Sequence, residues 1–220
     1  MMMRRHDRVW LHPSAVFSSN CMPVDGFHWQ QVQDWICRGR PLVVPRQAAS
    51  ATQIVLGLAL PAHSDGKRLS IQVERKDISA VFPPMPLAKC LQILSGRDRD
   101  CLVWLDAAMH GAGVRIGIYG SMAWELVSGE TYRNEASDLD VVCDVIEMNQ
   151  VNMLLVALQK AAAGLSFPLD GEIRFPNGQA VAWRELLICR NTPGAKVLAK
   201  GDEEIELVAI ETLMDGLREG

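Results

Sequence analysis

Hydrophobic positions along the chain switch between two periods. In HWQQVQDWICRGR, Trp29, Val32, Trp35 and Ile36 recur at helical spacing, whereas Ile71 and Val73 in RLSIQVER alternate with polar neighbours as in a half-buried strand. The cluster Pro83, Pro84 and Pro86 then interrupts the pattern. Proline fixes its own backbone and restrains the residue before it, so a domain boundary is placed near residue 86. Beyond it, PLAKCLQILSGRD and CLVWLDAAMHGAG read as helical, the second stopping at Gly111 and Gly113, where glycine serves as a C-cap. VRIGIYGS predicts a short strand ending in a Gly-Ser turn, MAWELVSG one or two turns of helix, and DLDVVCDV another strand. VNMLLVALQKAAAG predicts an amphipathic helix, DGEIRF a strand before the turn Pro176, Asn177, Gly178, and QAVAWREL a return strand or a helix start. AKVLAK and EEIELV predict a hairpin around Gly201 and Asp202, with a closing helix from Ala209 to Leu217. The expected class is α/β in the α+β sense: a small N-terminal α/β domain over residues 1–85 and a larger domain with a mixed sheet over 86–220.

Composition narrows the partners. The 220 residues are 49% hydrophobic and 22% charged, enough to bury a core and a poor match for disorder or a solenoid. The longest mostly apolar stretch, Ala48 to Ala62, contains Thr52, Gln53 and Pro61, whereas a membrane span needs about 20 predominantly apolar residues. No membrane partner is expected. The start, MMMRRHDRVWLHPS, is basic but lacks the apolar run of a secretory signal, so the expected location is cytoplasmic. A net charge of −4 argues against nucleic acid as the main partner. Cys21, Cys37, Cys90, Cys101, Cys143 and Cys189 lack zinc-site or disulfide-framework spacing and read as reduced and mostly packed. The five histidines show no metal-binding spacing, and Gly66, Lys67 and Arg68 lack the upstream glycine of a P-loop.

Candidate chemistry concentrates in YGSMAWELVSGETYRNEASDLDVV, Tyr119 to Val142. Asp138 and Asp140 lie two apart in a predicted strand, so both side chains leave one face about 7 Å apart. Two such carboxylates repel unless a cation sits between them, and hard oxygen donors suit Mg²⁺. Gly120 and Ser121 sit between a strand and a helix start, where backbone amides and the helix dipole favour a phosphate. Alone, an Asp-x-Asp is often a solvated strand end and a Gly-Ser a simple turn; in this order they point together to one site.

Gly-Ser, a helix, then Asp-Leu-Asp on the next strand resembles the active-site signature of the nucleotidyltransferase superfamily that includes DNA polymerase beta. RHDRVWL, VRIGIYGSMAWELVSGETYRNEASDLDVV, LDGEIRFPNGQAVAWREL and AKVLAK together resemble one branch, the malonate decarboxylase holo-[acyl-carrier-protein] synthases, also called phosphoribosyl-dephospho-CoA transferases. That resemblance implies a DNA polymerase beta-like nucleotidyltransferase domain. It also implies transfer of the phosphoribosyl-dephospho-CoA prosthetic group from 2'-(5''-triphosphoribosyl)-3'-dephospho-CoA to a serine of the acyl-carrier subunit of malonate decarboxylase, releasing diphosphate. Asp138 and Asp140 would then hold Mg²⁺, or Mn²⁺ in its place, and Gly120 and Ser121 the diphosphate. A third carboxylate falls to Asp170 or Glu172, two apart on one face, with Asp170 favoured. Arg115, Arg133, Lys196 and Lys200 are the nearby cations, of which Arg133 and Lys200 are the donor-phosphate candidates; Arg133 alternatively pairs with Glu135, and Lys200 is alternatively a solvated hairpin lysine. Trp124 and Trp183 fit adenine stacking less well than core packing. The N-terminal domain is assigned donor or carrier recognition. The rival readings are another Mg²⁺-dependent nucleotidyltransferase that uses ATP, and a non-catalytic binding module of the same fold.

Overall fold

The computed structural model describes residues 3–19, 26–49, 51–61, 63 and 66–218; Cys21 lies outside them. The first part of the chain runs Arg8–Leu11 (β1), Phe17–Ser18 (β2), Gly26–Cys37 (α1), Leu42–Val43 (β3), Ile54–Ala59 (β4), Arg68–Val73 (β5) and Ile78–Phe82 (β6). Its strands pair throughout antiparallel in the order β2-β5-β4-β3-β1-β6. Alternation builds the core here: Val9, Leu11, Leu56, Leu58, Ile71 and Val73 are buried together with Val32, Trp35 and Ile36 of α1, the helical-spacing set.

After Pro83 and Pro84 the chain enters a second sheet. Its elements are Met85–Pro86 (β7), Gly96–Gly111 (α2), Arg115–Tyr119 (β8), Gly120–Ser128 (α3), Leu139–Asp144 (β9), Met148–Gly164 (α4), Leu169–Arg174 (β10), Ala180–Ala182 (β11), Trp183–Cys189 (α5), Lys196–Lys200 (β12), Ile205–Ala209 (β13) and Ile210–Met214 (α6). The order is β13-β12-β11-β10-β9-β8-β7, with β9 and β10 parallel and the other neighbours antiparallel. A parallel pair needs a long crossover, and α4 supplies it. Ile116, Ile118, Leu139, Val141, Cys143, Leu169 and Ile173 are buried in one cluster with Leu102, Leu105 and Met109 of α2 and Leu154, Leu155 and Leu158 of α4. Strand alternation therefore sends the intervening residues, Tyr119, Asp140, Asp144, Asp170, Glu172 and Arg174, to the other, polar face.

That polar face receives the start of the chain. The Arg5 amide donates to Asp202 Oδ1 at 2.8 Å, its guanidinium donates to the Lys200 carbonyl at 3.1 Å, and Arg174 Nη1 donates to the Arg5 carbonyl at 3.1 Å. The two parts also share packing, because Trp124 and Val127 of α3 lie against the first core.

Several local expectations change. PLAKCLQILSGRD, expected to be helical, forms a 3₁₀ segment, Leu87–Gln92, whose buried residues Leu87 and Cys90 are three apart, the 3₁₀ period, and its last residues belong to α2, which begins at Gly96. QAVAWREL contains both a strand and a helix, β11 and α5, and the closing helix covers only Ile210–Met214. The described cysteines are free; Cys90 and Cys143 are buried, whereas Cys37 is exposed and not packed. Among the described residues no helix is long and apolar enough to cross a membrane.

Candidate active site

Strand register gathers the acidic residues. Asp140 is the Cα partner of Asp170 on β10 and of Tyr119 on β8, so the three share one row of the polar face. Asp138 stands just before β9, two residues from Asp140. One carboxylate oxygen from each of Asp138, Asp140 and Asp170 lies within 4.8 Å of the others. Crowding has an electrostatic consequence: burial first, then the charges of Asp138 and Asp170, push the Asp140 carboxyl up to about 7. A divalent cation relieves that repulsion, and an all-oxygen donor set of this kind fits Mg²⁺.

Two glycines make the approach possible. Gly120 opens α3 at φ +71°, and a Cβ there would run into the Asp140 carboxylate. Gly171 has φ +147°, and its Cβ would run into the Val141 carbonyl of the adjacent strand. The first glycine lets the start of α3, with Ser121 half-buried beside it, sit against the acidic row; the second lets β10 carry Asp170 alongside β9.

Glu172 shares the face but is otherwise engaged. It accepts from Lys200 Nζ at 2.8 Å and from Arg5 Nη2 at 3.2 Å, and His6 Nε2 lies 3.6 Å away. Burial works to raise its carboxyl, but the hydrogen bonds from His6 and Lys200 and the Arg5 charge outweigh this and hold it far below the usual range. The structure thus brings Asp170, and not Glu172, to the aspartate pair.

The anticipated cations are placed less simply. Arg133 donates through Nε to Glu125 Oε2 at 2.6 Å, while Glu125 Oε1 accepts the Tyr132 and Arg133 amides at 2.9 Å each; its partner is Glu125 and not Glu135. Lys200 is held by Glu172. Arg115 pairs with Asp144 at 2.9 Å, four residues along β9 from Asp140, and Lys196 is exposed at the start of β12. Trp183 is 1% exposed, and the Trp124 ring meets Trp35 edge-on at 5.5 Å, so both rings serve packing.

Sequence reasoning assigned no role to three residues at this site. Tyr119 faces Asp140, and burial with the surrounding carboxylates pushes its phenol above the usual range. The His6 ring stacks on Tyr119 at 3.8 Å and 20°, with its backbone at φ +71°. Arg5 completes the Glu172 cluster. Their signal was the basic, histidine-bearing run RRHDR before β1, whose three-dimensional neighbours lie far along the chain.

Carboxylates converge on a Gly-Ser helix start, over a sheet whose other face is closed by helices, and the family comparisons give the class of protein that carries this arrangement: a transferase. Two family models cover nearly the whole chain. The phosphoribosyl-dephospho-CoA transferase MdcG N-terminal domain matches residues 4–84 and the MdcG C-terminal domain matches residues 86–211. The chain belongs to the phosphoribosyl-dephospho-CoA transferase family. Relatives of that name include one from Xanthomonas campestris pv. campestris, 29% identical over 84% of this chain and 85% of its own. Another, from Xanthomonas axonopodis pv. citri, is 28% identical over 94% of each chain, and one from Bradyrhizobium diazoefficiens is 26% identical over 96% of this chain and 92% of its own. No solved structure matches.

Proposed function

We propose that this transferase attaches the phosphoribosyl-dephospho-CoA group, taken from 2'-(5''-triphosphoribosyl)-3'-dephospho-CoA, to a serine of the acyl-carrier subunit of malonate decarboxylase. The observation that supports this reading is the meeting of Asp138, Asp140 and Asp170 within 4.8 Å beside Gly120. In the step, a bond forms between the serine Oγ and the α-phosphorus as the bond from that phosphorus to the diphosphate oxygen breaks. The serine proton passes to Asp170, the exposed member of the trio, and diphosphate leaves. Asp138 and Asp140 would hold Mg²⁺, or Mn²⁺, which neutralises charge on the phosphates when bound. Amides at the start of α3 and the Ser121 hydroxyl would supply hydrogen-bond donors to those phosphates. The first sheet, joined to the second through the Arg5 contacts, would serve recognition of donor or carrier.

Intact-mass analysis tests the proposal. Apo carrier subunit is incubated with the enzyme, Mg²⁺ and the triphosphoribosyl donor, alongside Asp138→Asn, Asp170→Asn and Glu172→Gln enzymes and an ATP-only control. The expected result is a phosphoribosyl-dephospho-CoA mass gain with wild type that is lost with Asp138→Asn and Asp170→Asn. Full transfer by Asp170→Asn with loss in Glu172→Gln would overturn the assignment of the third carboxylate. An adenylyl-sized gain from ATP alone would replace the donor, and no gain with either would favour a non-catalytic binding module.

A further inference from the structure

A cavity of about 300 Å³ opens where the two sheets meet, within the size range of small-molecule sites. Arg4 and Asp7 of the opening segment, Phe82 at the end of β6, Pro83 of the linker, Arg115 of β8 and Arg174 of β10 line it. Three guanidiniums meet there, against Asp7 and the Asp144 that two of them share. Arg174 is buried and held rigid: Nε and Nη2 donate to Asp144 at 2.6 and 3.2 Å, and Nη1 donates to the Arg5 carbonyl at 3.1 Å. Arg115 Nη2 donates to the same carboxylate at 2.9 Å, and its side chain is otherwise exposed. The Arg4 guanidinium makes no hydrogen bond or ion pair among the described residues. Asp7 already accepts the Arg4 amide at 2.8 Å, and Asp202 accepts the Arg5 amide. A guanidinium carries five N–H donors, so Arg4 and Arg115 keep most of theirs for an anion. The rim is aromatic: Phe82 is 52% exposed, and Trp10 meets its ring edge-on at 5.4 Å. Such a face suits a planar base.

We propose that this cavity is a nucleotide site that takes an adenosine 5'-diphosphate group, its diphosphate at Arg4 and Arg115 and its base against Phe82. The donor of the transfer reading given above carries such a group, and the inference rests on that reading for its source. Asp144 lies four residues along β9 from Asp140 on the same face, a distance of about 13 Å at ~3.3 Å per residue. In the donor, about a dozen bonds of roughly 1.5 Å each separate the attacked α-phosphorus from the 5'-diphosphate of the adenosine, an extended reach of about 15 Å. The two spans agree. The opening segment borders both places, because Arg5 and His6 meet Glu172 and Tyr119 while Arg4 and Asp7 line the cavity. A free nucleoside diphosphate offers the same groups, so ADP binding and donor kinetics are measured apart.

Arg4→Ala, Arg115→Ala and Phe82→Ala in the full-length chain test the inference. ADP is titrated calorimetrically without divalent cations, which leaves the three aspartates repelling its phosphates, and inorganic diphosphate is titrated alongside. ADP affinity is expected to fall about ten-fold or more in each variant, whereas inorganic diphosphate should weaken with the two arginine variants and ignore Phe82→Ala. Because the Arg4 guanidinium is unpaired, the thermal midpoint of Arg4→Ala should not move. Steady-state transfer separates the two sources. A donor KM raised about ten-fold at unchanged kcat in Arg4→Ala, with ADP competing against the donor, assigns the cavity to the donor's own diphosphate. Lost ADP binding with an unchanged donor KM assigns it to a free nucleotide. Wild-type ADP affinity in Arg4→Ala and Arg115→Ala, or no ADP binding by the wild type, would overturn the inference and leave the transfer reading intact. ADP binding that depends on these residues, in an enzyme that transfers nothing to the carrier, would instead uphold the cavity and overturn the transfer reading.

Discussion

Replacing Asp140 with asparagine should make the protein more stable while abolishing stabilisation by Mg²⁺. The folded carboxyl sits at about 7 against an ordinary value of 3.8, a rise of about 3 units that corresponds to about 4 kcal/mol of electrostatic cost when the group is ionised. Because the side chain is only partly buried, solvent screening reduces this to about 2 kcal/mol. The sign follows from linkage: between pH 4 and pH 7 the folded state holds a proton that the unfolded state has released, so stability falls as pH rises through that window and levels off above it. Asp140→Asn lacks this titration. Urea denaturation without divalent cations should show the variant about 2 kcal/mol more stable than wild type at pH 8, with the gap closing near pH 4. Millimolar Mg²⁺ should then raise the wild-type midpoint at pH 8 and leave the variant unmoved. A variant less stable than wild type at pH 8 without metal, or equally stabilised by Mg²⁺, would refute the view that the three aspartates repel one another in wait for a cation.

Two further outcomes follow from the packing. Gly120→Ala places a methyl group against the Asp140 carboxylate at a left-handed backbone position, so it should cost at least about 1–2 kcal/mol in urea denaturation and most of the Mg²⁺-dependent stabilisation; Gly111→Ala, which meets open space, is the neutral control. Asp144→Asn should cost about 3 kcal/mol at neutral pH. Burial alone would raise the Asp144 carboxyl, but Arg174, at 2.6 Å, and Arg115 pull it below the usual range, so its stabilisation is present above about pH 4 and fades as pH falls. The wild-type advantage over this variant in denaturation midpoint should therefore shrink below pH 4, and an advantage independent of pH would contradict it.

Elements driven by local pattern were legible from the residues. The period of 3.6 in α1 and α4, the alternation in β5, β8 and β9, and the Pro176, Asn177, Gly178 turn each follow from side chains within a few positions of one another. The pairing of Asp138 with Asp140 was legible for the same reason. Choosing between Asp170 and Glu172 was harder, because both share a face and only the strand register, with Gly171 admitting β10 close to β9, separates them. Arg5 and His6 were illegible as site residues, since nothing near them in sequence records that strands more than 100 residues away will come to rest beside them. Arg133 illustrates the reverse error: Glu135 is nearer along the chain, but the turn after α3 brings Glu125 to it.

The long reach of Arg5 has a consequence for how the enzyme comes into being. Its anchors, the Lys200 carbonyl and the Asp202 carboxylate, lie 195 and 197 residues downstream. During synthesis Arg5 therefore waits, without these neighbours, until residues 200–202 have left the ribosome. Contacts of such sequence separation close slowly and late in folding. A nascent chain halted after β10 already carries all three aspartates and the packing of α3 against the first core, yet it lacks Lys200 beside Glu172 and the Asp202 anchor of the Arg5 amide. The Arg5 contacts therefore close only after β12 and the turn that follows it have emerged and folded.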